Sequence, residues 1–141
     1  MSAQSYSQPW TAPVATSQLG ATISLPGSKS LNNRELVLSA VAKEPTTLLD
    51  PLESRDSALM IAALKSLGTT IQQIPNGLLI EPNPLRGPAY IDCGLAGTVM
   101  RFVPPLASIA ESKVSFDGDE AAERRPMKTT IDSLRSLGVE I

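Results

Sequence analysis

Leu25-Pro26-Gly27-Ser28-Lys29-Ser30-Leu31-Asn32-Asn33-Arg34 reads LPGSKSLNNR and runs directly into ELVLSAVA. A Gly-containing turn carrying two hydroxyls, a Lys and an Arg thus precedes a periodic apolar segment, and the spacing predicts a helix from Arg34 to Ala42. Just ahead of a helix, unpaired backbone amides and the positive end of the dipole favour an anion. The stretch is not a phosphate loop of the G-x-x-x-x-G-K-[ST] type, because Ile23 stands at the first Gly position and Ser28 precedes Lys29. It carries the same physical parts all the same: a Gly that admits close backbone approach, a point charge, a hydroxyl and a helix behind them. Two readings stand at this point. One is an anion site that Arg34, a turn beyond Ser30, also reaches. The other is an ordinary helix start, with Ser30 as N-cap and Lys29 in solvent.

The rest of the composition narrows the chemistry. The chain has 141 residues, a net charge of −2, one cysteine and no histidine. A nucleic-acid module normally shows a basic surface, so none is expected. No apolar run is long enough for a membrane span, and the start lacks the charged and apolar regions of a signal peptide. Without His, Ser-His-Asp and Cys-His mechanisms are excluded from these residues, as are the usual zinc sites. Cys93 has no partner for an internal disulfide, which fits a cytoplasmic setting. It closes a predicted strand, so packing is its expected role.

The chain also repeats itself. MIAALKSLGTTI (Met60 to Ile71) aligns with TIDSLRSLGVEI (Thr130 to Ile141), matching Gly68 to Gly138 at an offset of 138 − 68 = 70. TTLLD (Thr46 to Asp50) aligns with KVSFD (Lys113 to Asp117), and the turn PGSKS with CGLAG. One unit reads as strand, Gly-rich turn, helix, strand, polar loop, helix and hairpin. In the first unit, about 21–88, the elements are the strand ATISL, the first helix, TTLLD, a helix Ser57 to Leu67 capped by Gly68, and the hairpin TTIQQI-PNG-LLIEP. In the second, about 89–141, they are AYIDC, a helix Gly97 to Ala110, KVSFD, a helix Pro126 to Leu137, and a strand VEI. No counterpart of PNGLLIEP follows, so the sequence is expected to be part of a longer protein. Residues 1–20, rich in Ser, Gln, Thr and Pro, read as a flexible segment or an interdomain strand.

Three further places could carry chemistry. In CGLAGTVMR, Gly97 and Thr98 can present bare amides at a helix start, with Arg101 following. In DGDEAAERRPMK, Arg124 and Arg125 precede a Pro-started helix and could grip a carboxylate or phosphate bidentately. Arg124 could equally be a solvated charge paired with Glu120 or Glu123. In LESRDSALM, Asp56 reads as the N-cap of the second helix and Arg55 as paired to a neighbour.

Taken together, LPGSKSLNNR, LAGTVMR and RRPM, in this order and spacing, resemble the N-terminal domain of the EPSP synthase family, from about Ala21 onward. The resemblance implies an α/β fold of βαβαββ units with helices inside and sheets outside, of which this chain would hold roughly two. It implies transfer of the enolpyruvyl group of phosphoenolpyruvate to the 5-hydroxyl of shikimate 3-phosphate, with no metal or organic cofactor. Lys29, Ser30 and Arg34 would bind shikimate 3-phosphate, while Lys29, Gly97 and Arg125 would bind phosphoenolpyruvate, the site at which glyphosate competes. Arg125 is preferred to Arg124 because it directly precedes the Pro-Met pair. The resemblance also places the proton-transferring carboxylates in a second domain beyond Ile141, and implies a monomeric full-length protein. Two positions depart from the pattern: Leu95 replaces a common Asn, and Phe102 a common Pro. The alternatives are the sister transferase acting on UDP-N-acetylglucosamine, in which Cys93 would need a mobile loop, and a non-catalytic α/β anion-binding module.

Overall fold

A computed structural model of the chain describes residues 11–23, 25 and 27–141. Thr11 to Gly20 are exposed and form no helix or strand, and Trp10 lies outside the described residues. The elements in order are α1 (Lys29–Ala40), β1 (Thr46–Leu49), α2 (Arg55–Ser66), β2 (Thr70–Ile74), β3 (Gly77–Glu81), β4 (Ala89–Asp92), α3 (Gly97–Ala107), β5 (Val114–Asp117), α4 (Glu120–Glu123) and α5 (Lys128–Ser136).

The helices α1, α2 and α3 pack against one another, and the two sheets lie against this group. One sheet is antiparallel in the order β1-β3-β2; the other is the parallel pair β4-β5, bridged by α3. The β2-β3 hairpin turns at Pro75-Asn76, and Gly77 follows with φ +150, where an added Cβ would lie 2.0 Å from the Leu48 carbonyl oxygen. Only glycine lets β3 approach β1 so closely. The core joins both units: Leu36, Met60, Leu64, Leu67 and Ile80 from the first meet Ile91, Val99 and Val103 from the second.

The repeat is visible in the helix ends. Gly68 and Gly138 both adopt positive φ, +106 and +89. The Gly68 N–H donates to Lys65 O and the Thr69 N–H to Leu64 O; Gly138 to Arg135 O and Val139 to Leu134 O repeat the pattern. Each is a Schellman motif, which satisfies the last carbonyls of its helix.

Several expectations are corrected. The first helix begins at Lys29 rather than Arg34, so the decisive turn is itself helical, and Ser28 rather than Ser30 is its N-cap. The second helix is capped by Ser54, not Asp56. Ser54 and Ser57 form a reciprocal capping box there, which leaves the Asp56 carboxylate free for another partner. VEI is not a strand, since Val139–Ile141 do not pair, and the described residues of ATISL, Ala21, Thr22, Ile23 and Leu25, join no sheet, with Ile23 and Leu25 exposed. Alternating residues encode two faces, but a strand also needs a partner backbone. The Ile141 carbonyl instead accepts from Arg135. The helix after RRPM starts at Lys128, not Pro126, and the helix from Gly97 ends at Ala107, not Ala110. α4 arises within the stretch read as loop.

Candidate functional site

The first turns of α1, α2 and α3 meet at one side chain. Asn33 is fully buried, and its Nδ2 donates to Thr98 Oγ1 at 2.7 Å and to the Asp56 carbonyl at 3.3 Å. Asn33 therefore ties the turn at Lys29 to the turn at Gly97 through the start of α2. Its Oδ1 is buried without a partner among the described residues, as is Asn32 Nδ2. Such groups are costly, and each calls for an explanation such as a bound water, an ion or a role in a site. Sequence reasoning passed over Asn33. The available signal was its position on the buried stripe with Leu36 and Ala40, where a polar residue has no packing purpose.

The three N-termini differ in how they are satisfied. α2 satisfies its Ser57 amide, and the Ser54 amide before it, with the Ser54–Ser57 box. In α1 the Ser28 hydroxyl accepts only a long bond, 3.4 Å, from the Leu31 N–H. α3 has no side-chain cap at all, because Ala96 occupies the N-cap. The amides of Gly97, Thr98 and Val99 thus begin a helix with no intrahelical acceptor.

Around these ends the charges run against the helix dipoles. Neither α1 nor α3 has an acidic residue in its first turn. Cations stand there instead: Lys29 opens α1, Arg34 lies a turn further, and Arg101 lies on α3. Lys29 Nζ is 3.2 Å from Asp56 Oδ2 and remains half exposed, so it is ion-paired rather than simply in solvent. Ser30 is exposed at the second position of α1. The Arg34 guanidinium lies over the Phe102 ring, 5.9 Å from its centroid. The unusual aromatic at 102 therefore orients a candidate ligand side chain by a cation–π contact.

Gly97 opens α3, and two guanidiniums crowd it. A Cβ built there would lie 3.0 Å from Arg101 Nη1 and 3.1 Å from Arg125 Nη1. Arg125 Nη1 donates to the Leu95 carbonyl at 2.9 Å, and Arg101 Nη1 to the Gly97 carbonyl at 3.3 Å. Neither arginine forms an ion pair among the described residues. Leu95, the second departure from the pattern, thus holds Arg125 through its backbone. Arg124 pairs with Glu120 at 3.3 Å, the solvated role weighed for it.

One carboxylate near the site is occupied. Arg55 binds Asp119 through two bonds, 2.8 and 3.0 Å, across 64 residues rather than to a neighbour in sequence. The Arg55 hydrogen bond lowers the Asp119 pKa. Cys93 is buried, and burial pushes its thiol up to about 11, so it packs and does not attack. A broad cleft of about 1500 Å³ opens between α5, β5 and the C-terminal half of α3. Of the candidate residues only Arg125 touches it, and its largely apolar lining suits packing rather than an anion. Among the described residues no group of three His, Cys, Asp or Glu could hold a metal, and no helix is long and apolar enough to cross a membrane.

Stacked helices between two sheets, with cations gathered where helix amides are bare, define an α/β domain of the enolpyruvyl transferase type. A family model for EPSP synthase (3-phosphoshikimate 1-carboxyvinyltransferase) matches residues 14–141, and the chain belongs to that family. A 3-phosphoshikimate 1-carboxyvinyltransferase from Kocuria rhizophila is 51% identical over 94% of this chain and 32% of its own length. Two structures of EPSP synthase from Acinetobacter baumannii superimpose with TM-scores of 0.74 and 0.73 at 27% identity. They cover 84% and 82% of this chain and 28% and 27% of theirs. The chain thus spans about a third of the curated relative it matches. These matches favour the EPSP synthase reading over the UDP-N-acetylglucosamine transferase.

Proposed function

We propose that this chain supplies the cationic half of an EPSP synthase active site, in a protein that transfers the enolpyruvyl group of phosphoenolpyruvate to the 5-hydroxyl of shikimate 3-phosphate and releases phosphate. The observation that carries the reading is the pair of guanidiniums at Gly97, on an uncapped helix start joined through Asn33 to the Lys29 turn. Lys29, Ser30 and Arg34 bind shikimate 3-phosphate: an ammonium, a hydroxyl and a guanidinium suit a phosphate dianion. Lys29 also reaches phosphoenolpyruvate, whose charged groups rest on the Gly97 amide and the Arg125 fork. On anion binding, Lys29 exchanges Asp56 for phosphate and Arg125 exchanges the Leu95 carbonyl for a charged acceptor.

These residues bind and orient; they do not move the proton. Asp119 is held below the usual carboxylate range by Arg55, which makes it a poor base near neutral pH. The proton-transferring carboxylates belong to a second domain of the whole protein, which is monomeric and cytoplasmic. Leu31, Leu38 and Val41 project exposed from α1, an apolar stripe that supports further packing partners in the whole protein. The test is release of inorganic phosphate when the full-length protein meets both substrates. Dependence on both, with no metal added, is the expected result. Release from phosphoenolpyruvate alone, or none at all, would overturn the assignment.

A further inference from the structure

Arg55 is the first residue of α2, where the positive end of the dipole disfavours a cation and the Ser54–Ser57 box already caps the helix. Its guanidinium therefore serves something other than α2. It reaches into the second unit and makes two parallel bonds, Nη1 to Asp119 Oδ2 at 2.8 Å and Nη2 to Asp119 Oδ1 at 3.0 Å. On the way it lies against Gly94, where an added Cβ would be 3.0 Å from Nη2 and 2.8 Å from Leu59 Cδ1. Gly94, at φ +47, is where the chain leaves β4 and turns toward Gly97. Asp119 is the N-cap of α4, the short helix that leads to Arg125.

The two segments are seamed together beneath this clasp. The Cys93 N–H donates to Asp117 O at 2.8 Å and the Asp119 N–H to Gly94 O at 3.1 Å. At Gly118 a Cβ would lie 2.8 Å from Gly94 O, so the seam has no room for a side chain. Arg125 then returns to the Leu95 carbonyl. One loop carries Arg125, the other carries Gly97, and Arg55 bridges their common start.

We propose that Arg55 is a positioning residue: its bidentate clasp on Asp119 sets the spacing between the Gly97 amide and the Arg125 guanidinium without itself touching the ligand. The proposal rests on the assignment of Gly97 and Arg125 to phosphoenolpyruvate. An exposed ion pair contributes little stability, whereas a two-bond fork fixes direction. Loss of the clasp therefore acts on binding rather than on folding.

The test uses the full-length enzyme with Arg55→Gln, Asp119→Asn and the double variant, and Arg125→Gln as the reference. Each single variant is expected to raise the KM for phosphoenolpyruvate about fivefold, a displaced rather than deleted ligand. The KM for shikimate 3-phosphate should stay within about twofold and the Tm within about 2 °C. The double variant should be no worse than either single one, because both remove the same contact. An unchanged phosphoenolpyruvate KM in both singles, with Arg125→Gln raising it, overturns the clasp. So do additive effects in the double variant, or a joint rise of both KM values with a fall in Tm. If Arg125→Gln itself leaves the KM unchanged, the assignment of Arg125 fails first and the clasp loses its object.

Discussion

Gly97 is glycine because of its neighbours, not its backbone. It is helical, so Ala would suit the conformation and even favour the helix by up to about 1 kcal/mol. The added methyl would meet only the ends of two flexible arginines, at 3.0 and 3.1 Å, and these can swing away. Folding and binding therefore separate. In full-length Gly97→Ala, the Tm should hold or rise slightly, while the KM for phosphoenolpyruvate rises about fivefold or more, an overpacking cost of roughly 1–3 kcal/mol. Glyphosate, competing for the same space, should lose still more affinity. Steady-state kinetics with and without glyphosate check this, and unaltered constants would place Gly97 outside the site. At this scale residue type alone draws attention to Lys29, Arg34, Gly97 and Arg125, small or cationic residues in or beside the turns that lead into helices. Asn33 and Arg55 did not, because their meaning lies in partners 65 and 64 residues away.

Local elements were legible where local chemistry decides them. The hairpin, the Gly68 and Gly138 caps and the second helix follow from turn residues and 3.6-residue spacing. The strands expected at VEI and over the described residues of ATISL did not form, because pairing is a non-local property that alternation does not encode. The missed α4, EAAE, is short, but its residues are good helix formers and Asp119 stands at its N-cap. The loop that begins α4 also carries the pH dependence of the second unit. Hydrogen bonds from Arg55 to Asp119 and from the Tyr90 hydroxyl to Asp117 lower both carboxyl pKa values. Depressed folded-state values contribute stability that is complete above the unfolded carboxylate pKa of about 4 and lost as the pH falls through the folded values. Thermal melts between about pH 6 and pH 2 should fall less steeply for Asp119→Asn than for the parent. Equal slopes would mean that Asp119 carries no native-state shift.

At the scale of the molecule, the proposed assignment separates the cations from the proton-transfer groups. If the 141-residue chain holds only the former, then mixed with shikimate 3-phosphate and phosphoenolpyruvate it should release no phosphate above background, and measurable turnover would refute that division. Whether the Lys29 turn holds shikimate 3-phosphate, and the Gly97–Arg125 seam holds phosphoenolpyruvate with help from Lys29, is read out by calorimetric titration of the full-length protein. The comparison is between the parent, Lys29→Met and Arg125→Gln. A charge-assisted contact is worth about 1.5–3 kcal/mol, so Lys29→Met should weaken shikimate 3-phosphate by at least about tenfold. Arg125→Gln should weaken phosphoenolpyruvate by a similar factor and leave shikimate 3-phosphate within about twofold. Parent-like affinities in both variants would return these residues to ordinary helix starts and contradict the account.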